Sequence, residues 1–584
     1  MNSRSRPDEH HVVLQAGSAN HWKRFSSPVE VIRVDDVDLV IQSLESVEQR
    51  VNREGLFAAG FLSYEAAPAF DSAMRVLPAG SLPLLWFGLY DTCEDASTPF
   101  SQDTKECELG EWEPKMTRAQ YSQDVNTIRN HIAEGDTYQI NYSFRMRSHF
   151  LGDPRGLFLD LVQSQQSRYS AFIETQDFVV CSVSPELFFS LNGDRLISKP
   201  MKGTAKRGRT QPEDVASRDQ LKSSEKNRAE NLMIVDMVRN DFGQVAVAGS
   251  IGVEEMFALE RYPTVWQMTS TVFGKSEASL SSIMKALFPC ASITGAPKIR
   301  SMEIISELES TPRGVYTGCI GFMSPRRQAQ FNVAIRTLVL DRKTNVAEYG
   351  VGGGIVWGSN DEDEFAECLS KARVLTDRMP QFELLETLLW TPEEQFFLLD
   401  YHIDRLKSSA EYFGFVLDEK AIVKELETIS SGFRIPQKIR LMVARNGRVR
   451  AEPSTYEPMR NPVRVRFAKS PVDTENAFFY HKTTNRRMYA NALVGASEVD
   501  DVILWNPKGQ VTESTIANVV VEINGKLVTP PVECGLLGGT FRRLLLEQGK
   551  IHEQSITVAE SKNAKSLFLI NSVSRWRKAL LVAE

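Results

Sequence analysis

Two segments place a carboxylate and an amine where they could act together. Glu186 lies in the stretch SPELF, and Lys202, sixteen residues later, lies in KPMKGT. The dipeptide Asn192-Gly193 between them suits a tight hairpin, which would fold the second segment back on the first. A neutral lysine is a nucleophile, and a neighbouring carboxyl can pass protons. An ordinary surface ion pair is the alternative for any single pair of this kind.

Further acidic residues occur in two segments with helical patterns. Glu230 opens the run ENLMIVDMVRND. Glu364, Glu367 and Lys371 are three and four residues apart, just after a run of three glycines. Carboxylates among apolar residues need partners, although a Glu367–Lys371 pair alone is a common helix contact. For Glu364 and for Asp236 in the first run, a helix surface or a supporting role is at least as good an interpretation as metal binding.

An anion site is indicated between these two segments. The stretch ITGAPK, which contains Gly295, precedes a helix predicted from Lys298 to Leu308. The glycine and the proline leave backbone amides exposed ahead of the helix, and such a terminus attracts anions.

The last third of the chain carries a different set of residues. They are Arg405 in HIDRL, Lys482 in HKTTNR, Glu513 in VTEST, and Gly539 and Thr540 in GGTFR. Each motif alone is weak evidence for a site, because a motif such as HIDRL or GGT usually marks a helix surface or a turn. Glu386 and Thr387 precede the set, and we place them at a solvated strand edge, with substrate contact as the alternative.

Elements that could position these residues are visible in the pattern. Apolar residues recur at helical spacing from Thr117, which can cap a helix, to Gly135, which can end it. Paired strand patterns follow, and the pattern restarts after Met379-Pro380. We therefore predict an amino-terminal subdomain at 1–116, a large α+β catalytic domain with antiparallel sheet at 117–380, and a further domain at 381–584.

Composition excludes several classes of protein. The chain has 584 residues, 42% hydrophobic and 24% charged, with a net charge of −7. It has no basic block, apolar span or secretory signal, so we expect no nucleic acid, no membrane and a cytoplasmic location. The seven cysteines are odd in number and scattered, which indicates reduced and mostly buried thiols.

Seven motifs in order resemble the chorismate-binding family: SPELF, KPMKGT, ENLMIVDMVRND, ITGAPK, YTGCIGF, FNVAIRTL and GGGIVWGSNDEDEFAECLSKA. The resemblance covers about residues 117–378. It implies Mg²⁺ between Glu230 and Glu367. It also implies binding of the chorismate carboxylates by Arg336, Lys371, Tyr316 and the amides near Gly295, Gly352 and Gly353.

Lys202 selects a branch of this family. Anthranilate synthases typically have alanine at this position, whereas a lysine there resembles the 4-amino-4-deoxychorismate synthases. The resemblance implies addition of this amine to the ring, loss of the C4 hydroxyl, and attack by ammonia at C4, with Glu186 moving the protons. Because the chain shows no convincing Cys-His-Glu glutaminase, a separate glutamine amidotransferase subunit is implied.

Residues 383–580 resemble the class IV pyridoxal-phosphate (PLP) enzymes, which include aminotransferases and 4-amino-4-deoxychorismate lyase. The resemblance implies that Lys482 bonds to PLP, that Glu513 holds its pyridine nitrogen, and that Arg405, Gly539 and Thr540 bind its phosphate. Ser572 in LINSVS is an additional phosphate contact or, equally, a buried strand-end hydroxyl.

The fusion itself favours one function. A lyase would consume what the first domain releases, so we expect a bifunctional enzyme that makes para-aminobenzoate for folate. The alternative is an anthranilate-type synthase fused to an aminotransferase. The expected fold is a large antiparallel-sheet α/β sandwich followed by a two-subdomain class IV fold. Dimerisation through the PLP domain is an analogy with class IV relatives.

Overall fold

The computed structural model describes residues 11–18, 20–100, 104–105, 107–376 and 379–582. The chain forms two compact units. The first contains residues 1–206 and 218–379, and the second contains residues 207–217 and 380–584. An eleven-residue piece of the predicted chorismate-binding region therefore belongs to the second unit.

The strands of the first unit are β1 (His11–Gln15), β2 (Trp22–Ser26), β3 (Glu30–Val34), β4 (Phe57–Leu62), β5 (Leu85–Tyr90), β6 (Glu94–Ala96), β7 (Cys107–Leu109), β8 (Glu113–Pro114), β9 (Gln139–Gly152), β10 (Tyr169–Glu174), β11 (Phe178–Ser184), β12 (Leu187–Asn192), β13 (Arg195–Lys199), β14 (Met201–Lys206), β15 (Gly252–Arg261), β16 (Val265–Lys275), β17 (Gly295–Ala296), β18 (Cys319–Ser324), β19 (Gln328–Val333), β20 (Thr337–Asp341) and β21 (Val346–Ile355). The helices up to residue 372 are α1 (Val40–Glu54), α2 (Ala67–Phe70), α3 (Arg118–Ala133), α4 (Pro154–Gln165), α5 (Gln211–Ser223), α6 (Glu225–Gly243), α7 (Leu280–Leu287), α8 (Lys298–Leu308) and α9 (Asp361–Ala372). Of these, α5 crosses the boundary between the units at residue 217.

Two antiparallel sheets form the first unit. Among the described residues, one sheet has eleven strands, with the path β17-β9-β21-β20-β11-β10-β1-β2-β6 and with β7 and β8 on β9. The other has ten strands, with the path β14-β16-β13-β12-β19-β18-β4-β5-β3 and with β15 on β16. Buried side chains from both sheets, including Val12, Phe61, Val180 and Ile320, share one core cluster. The region predicted as the 1–116 subdomain contributes strands to both sheets.

The second unit adds β22 (Leu384–Thr391), β23 (Gln395–Phe396), β24 (Gln437–Val443), β25 (Val449–Thr455), β26 (Val463–Phe467), β27 (Asp501–Trp505), β28 (Val511–Ser514), β29 (Asn518–Ile523), β30 (Lys526–Thr529), β31 (His552–Glu553), β32 (Leu567–Asn571) and β33 (Arg575–Leu581). Its helices are α10 (Leu399–Phe413), α11 (Glu419–Ser430), α12 (Arg487–Leu493), α13 (Thr540–Glu547) and α14 (Val558–Lys562). In the described chain these strands form a four-stranded sheet, β23-β22-β24-β25, and an eight-stranded mixed sheet, β28-β27-β26-β33-β32-β29-β30-β31.

The predicted fold class is confirmed: mixed helices and antiparallel sheets come first, and a fold with two sheets follows. Local predictions also hold. Thr117 caps α3 by accepting a hydrogen bond from the Gln120 amide, and Asn192 pairs with Arg195 in the β12–β13 hairpin. All seven cysteines are reduced thiols, and six of them are buried. None of the described helices combines the length and the apolar character needed to cross a membrane.

Candidate active sites

The first candidate site is built around Glu186, in the short link between β11 and β12. The link is held where the Glu186 amide donates to Ser184 Oγ at 3.2 Å. The Glu186 side chain is buried, and Ser292 Oγ donates to its Oε1 at 2.7 Å. Burial raises the pKa of Glu186 to about 7, against the opposing effects of Ser292 and Lys202. A carboxyl with such a pKa can both give and accept a proton near neutral pH.

Lys202 lies on β14 and is partly buried. Asn231 of α6 fixes its backbone, because its side-chain amide donates to the Lys202 carbonyl at 3.2 Å. Within the described chain, the Lys202 amine makes no hydrogen bond or ion pair. Desolvation lowers the pKa of this amine, and Glu186 opposes that effect. The structure therefore brings the predicted nucleophile and proton carrier together.

One of the acidic residues predicted on α6 and one of those predicted on α9 act on the same amine. Glu230 and Glu367 both interact electrostatically with Lys202. Glu367 pairs with Lys371 at 2.8 Å, and the Lys371 amine also donates to the Gly352 carbonyl at 2.8 Å. Although partial burial opposes it, this pairing lowers the pKa of Glu367. Asp236 is instead exposed and paired with Arg239 at 3.0 Å.

The glycines of β21 let the backbone approach the polar groups of the site closely. A Cβ on Gly354 would lie 2.6 Å from the Gln139 side-chain amide and 3.4 Å from the Lys202 amine. A Cβ on Gly353 would lie 3.0 Å from a Glu364 carboxylate oxygen and 3.9 Å from the Lys371 amine. A larger residue at Gly354 would therefore clash with Gln139, and one at Gly353 would crowd Glu364.

The other predicted chorismate ligands are Tyr316, Arg336 and the backbone at Gly295. The Tyr316 ring lies under the Arg145 guanidinium at 4.8 Å, and Lys371 acts electrostatically on its hydroxyl. Arg336 donates to the Gln165 side chain and lies over the Tyr262 ring at 6.0 Å. Gly295, on β17, pairs with β9 directly before α8. Tyr316 and Arg336 thus each belong to a pair of a cation and an aromatic ring.

The fit of these residues to Mg²⁺ depends on how many carboxylates the ion needs. Among the described residues, only one group of three His, Cys, Asp or Glu side chains places its ligand atoms within 4.8 Å of one another, namely His131, Glu134 and Asp136. Asp136 of that group is also paired with Arg300 at 2.7 Å. Glu230 and Glu367 belong to no such group of three. Mg²⁺ usually takes one or two carboxylates and completes its shell with water and substrate oxygens, so two carboxylates are enough protein ligands for the ion.

The second candidate site is built around Lys482, which is also partly buried. Its carbonyl accepts a hydrogen bond from the Leu385 amide of β22 at 3.0 Å. No hydrogen bond to its amine occurs within the residues that the structure covers. Desolvation, with Arg405 nearby, lowers the pKa of Lys482 to about 8. A substantial fraction of this amine is therefore neutral at a weakly basic pH.

Glu513 projects from β28 into the same site. It accepts hydrogen bonds from the Tyr489 hydroxyl at 2.7 Å and from the Leu537 amide at 3.2 Å. Burial raises the pKa of Glu513 to about 8 even though both bonds favour the carboxylate. A nitrogen base placed opposite it would share this proton.

Arg405 on α10 has a partner that the sequence did not predict. Its Nε and Nη2 donate to Glu386 at 2.8 and 2.6 Å, and His402 Nδ1 bonds to the same carboxylate at 2.6 Å. These partners overcome desolvation and lower the pKa of Glu386 to about 2. The placement of Glu386 at a solvated edge was therefore wrong: this side chain is buried and holds Arg405.

The start of α13 lies beside Arg405. Arg405 Nη1 donates to the Gly538 carbonyl at 3.1 Å, and Thr540 Oγ1 lies 3.3 Å from His402 Nε2. A Cβ on Gly539 would lie 2.0 Å from Asn518 Oδ1, while one on Gly538 would meet nothing within 4 Å. The amides at this helix start and the guanidinium suit a phosphate.

Together these residues fit PLP. A lysine amine without a described hydrogen-bond partner, a buried acid, and an open cup of amides and a guanidinium are the groups that this cofactor needs. Ser572 is buried, and its Oγ donates to the Thr387 carbonyl at 3.5 Å.

Comparison with known proteins gives two matching families. The model of the family described as chorismate binding enzyme matches residues 9–377, and that described as amino-transferase class IV matches residues 383–581. Aminodeoxychorismate synthase component 1 of Escherichia coli (strain K12) is 39% identical over 263 residues, covering 45% of this chain and 58% of the relative. Anthranilate synthase component 1 3 of Haloarcula marismortui is 32% identical over 428 residues, covering 62% of this chain and 83% of the relative.

A solved structure has the same fold as the first unit. It is anthranilate synthase component I from Streptococcus pneumoniae, with a TM-score of 0.53 and 23% identity, covering 64% of this chain and 94% of that one. The match to the Escherichia coli relative spans little more than half of that protein, as does the match to the Bacillus subtilis protein of the same name, at 58%.

Proposed function

Because this chain belongs to the chorismate binding enzymes and has a class IV amino-transferase region after them, we propose that it makes para-aminobenzoate in two steps. The first aminates chorismate to 4-amino-4-deoxychorismate. The second eliminates pyruvate from that product. The observation that carries the proposal is the partly buried Lys202 amine, on which Glu186, Glu230 and Glu367 all act electrostatically.

In the first step the Lys202 nitrogen forms a bond to the chorismate ring while the bond from C4 to its hydroxyl oxygen breaks. Glu186 gives its proton to the departing oxygen, which leaves as water. Ammonia then bonds to C4, the bond from the ring to Lys202 breaks, and Glu186 accepts the proton that ammonia loses. A pKa of about 7 suits Glu186 to both transfers.

The other groups bind and orient the substrate. Lys371, Arg336, Tyr316 and the amides near Gly295, Gly352 and Gly353 would bind the two carboxylates. Glu230 and Glu367 would hold Mg²⁺, which would spread the negative charge of the substrate. Ammonia would come from a glutamine amidotransferase subunit, as the partner of a component I protein.

In the second step PLP would supply the electron sink for the elimination. Lys482 would carry it and would also remove and return the protons of the substrate. Arg405, Gly539 and Thr540 would bind the phosphate, while Glu513 would hold the ring nitrogen. Glu386 fixes the direction of the Arg405 guanidinium.

The test uses the purified full chain with chorismate, Mg²⁺, PLP and ammonium at a weakly basic pH. We expect para-aminobenzoate and pyruvate in equal amounts by chromatography and a coupled pyruvate assay. Omission of PLP should leave 4-amino-4-deoxychorismate, and omission of ammonium should stop para-aminobenzoate formation. The anthranilate synthase relative keeps a second candidate open, an anthranilate-type synthase joined to an aminotransferase; anthranilate as the product would establish that candidate instead.

A further inference from the structure

The segment Arg207–Ser217, here called the clamp segment, lies within the stretch that matches the chorismate binding enzymes but is part of the second unit. It begins directly after β14, the strand that carries Lys202. Its contacts with α10 and with the residues before Lys482 all lie within the second unit.

Arg207 and Asp214 anchor the clamp segment. Their side chains are buried and form an ion pair at 2.5 Å. The Arg207 guanidinium lies 4.4 Å from the centre of the Tyr412 ring, and its Nη2 donates to the Tyr412 carbonyl at 2.8 Å. The Tyr412 hydroxyl in turn donates to the Gly208 carbonyl at 2.7 Å. The clamp segment is thereby fixed on the end of α10.

From this anchor the clamp segment reaches the residues before Lys482. Arg209 Nη1 donates to the Tyr480 hydroxyl at 3.0 Å, and its guanidinium lies over the Tyr480 ring at 5.2 Å. His481 Nε2 lies 3.2 Å from the Arg209 carbonyl. The Nδ1 of the same ring lies 3.0 Å from Ser409 Oγ.

These bonds define the state of His481. A carbonyl only accepts, so Nε2 carries a proton and donates it to Arg209, while Nδ1 accepts from the Ser409 hydroxyl. The ring stacks on Tyr412 at 4.3 Å. Burial lowers the pKa of His481 to about 4, so the ring is neutral at physiological pH.

We infer that the clamp segment is a positioning element for Lys482, acting through the His481 ring beside it in the chain. The Leu385 amide holds the Lys482 backbone, and the clamp segment holds the side chains of Tyr480 and His481, the two residues before it. This inference rests on the proposed function in one respect, namely that Lys482 is the lysine that receives PLP.

Three variants of the full chain test the inference. His481→Phe keeps an aromatic ring on Tyr412 but loses both hydrogen bonds, and Arg209→Ala loses the bond to the Tyr480 hydroxyl. His481→Gln restores an N–H that can reach the Arg209 carbonyl. Ala216→Ser, at an exposed position of the clamp segment, is the matched control.

The first measurement is PLP affinity, followed by borohydride reduction and peptide mass spectrometry to identify the lysine that has bound PLP. We expect the PLP dissociation constant to rise about tenfold in His481→Phe and about threefold in Arg209→Ala, the scale of one or two hydrogen bonds. His481→Gln should recover part of the loss, and Ala216→Ser should match the unmodified chain.

The second measurement needs no cofactor. It is the pH dependence of the rate at which the Lys482 amine is acylated. The midpoint of this pH profile should move to higher pH in His481→Phe, because a looser site admits water to the amine. The inference is overturned if His481→Phe changes neither the PLP affinity nor the acylation midpoint. A lower melting temperature without a change in either quantity would overturn it as well. If the unmodified chain takes up no PLP at Lys482, the proposed second reaction fails, and the acylation midpoints then decide the role of the clamp segment.

Discussion

The two candidate sites use the same kind of amine with different numbers of cations around it. Lys202 faces Glu186 and Glu230, with Lys371 as the neighbouring cation. Lys482 faces Arg405 and Arg486, and the carboxylate of Glu386 nearby is already paired. Desolvation lowers the pKa of both amines, and carboxylates oppose it at both: Glu186 and Glu230 at Lys202, and Glu386 and Glu513 at Lys482. The difference lies in the cations, because two arginines add to the lowering at Lys482 and a single lysine does so at Lys202. The first site is therefore suited to moving protons, and the second to holding an anionic cofactor.

The largest expected effect separates the two lysines by activity. Lys202→Ala should reduce chorismate consumption at least about 1,000-fold, the scale of losing a nucleophile, because the other lysine described in that site, Lys371, is already paired with Glu367. PLP uptake should be unchanged. Lys482→Ala should show the reverse: consumption continues and 4-amino-4-deoxychorismate accumulates. Chromatography measures the consumption of chorismate and its products, and an absorption assay measures PLP uptake. Formation of para-aminobenzoate by both variants would contradict the separate roles of the two lysines.

Next in size is the effect of breaking a buried ion pair in each unit. Glu309 pairs with Arg313 at 2.7 Å in the first unit, as Glu386 pairs with Arg405 in the second. Glu309→Gln and Glu386→Gln should each lower the free energy of unfolding by about 3–5 kcal/mol, because each leaves a charge without its partner. Denaturant titration with proteolysis mapped by mass spectrometry assigns the loss to a unit. Loss in the same unit for both variants would contradict the expected independence of these networks.

A smaller effect concerns the reactivity of the amines themselves. In the cofactor-free chain, acylation of Lys482 should have its midpoint near pH 8, since its pKa is lowered to about 8. Lys202 should also react below the pH typical of lysine, because desolvation lowers its pKa. Exposed Lys526 is the reference for the reagent. A Lys482 midpoint near the ordinary lysine value of about 10 would mean that water reaches its amine freely.

The last expected effect is on the pH dependence of stability. Burial raises the pKa of Glu513 to about 8, so the folded chain keeps a proton there that the unfolded chain loses near its ordinary value of 4.5. The unfolded state then binds fewer protons, and stability falls as pH rises from about 5 to 8, by up to about 1.4 kcal/mol per pH unit for this group. Glu513→Gln should flatten that part of the curve in urea titrations of the cofactor-free chain. An unchanged slope would show that Glu513 is already ionised when folded.

Local signals in the sequence predicted much of the structure. The Thr117 cap, the Asn192-Gly193 turn and the spacing of Glu367 and Lys371 depend on residues close together in the chain, and each forms as expected. The ordered motifs of two families indicated which distant segments meet around Lys202 and Lys482.

Contacts between distant segments without such a motif were not predictable. Nothing near Glu386 in sequence identifies Arg405 as its partner, although the apolar neighbours Leu384, Leu385 and Leu388 could have suggested a buried position. Tyr489, which donates to Glu513, carries no signal. The residues 207–217 follow a family motif and look like its continuation, so their place in the second unit could be found only from the structure.

The position of residues 207–217 affects how the two halves can be produced separately. A cut at the boundary between the two families, near residue 380, would yield a carboxy-terminal polypeptide that lacks eleven residues belonging to its own compact unit. Poor solubility or weak PLP uptake by such a fragment would say nothing about its chemistry. Adding the missing residues back as a synthetic peptide is the appropriate complementation.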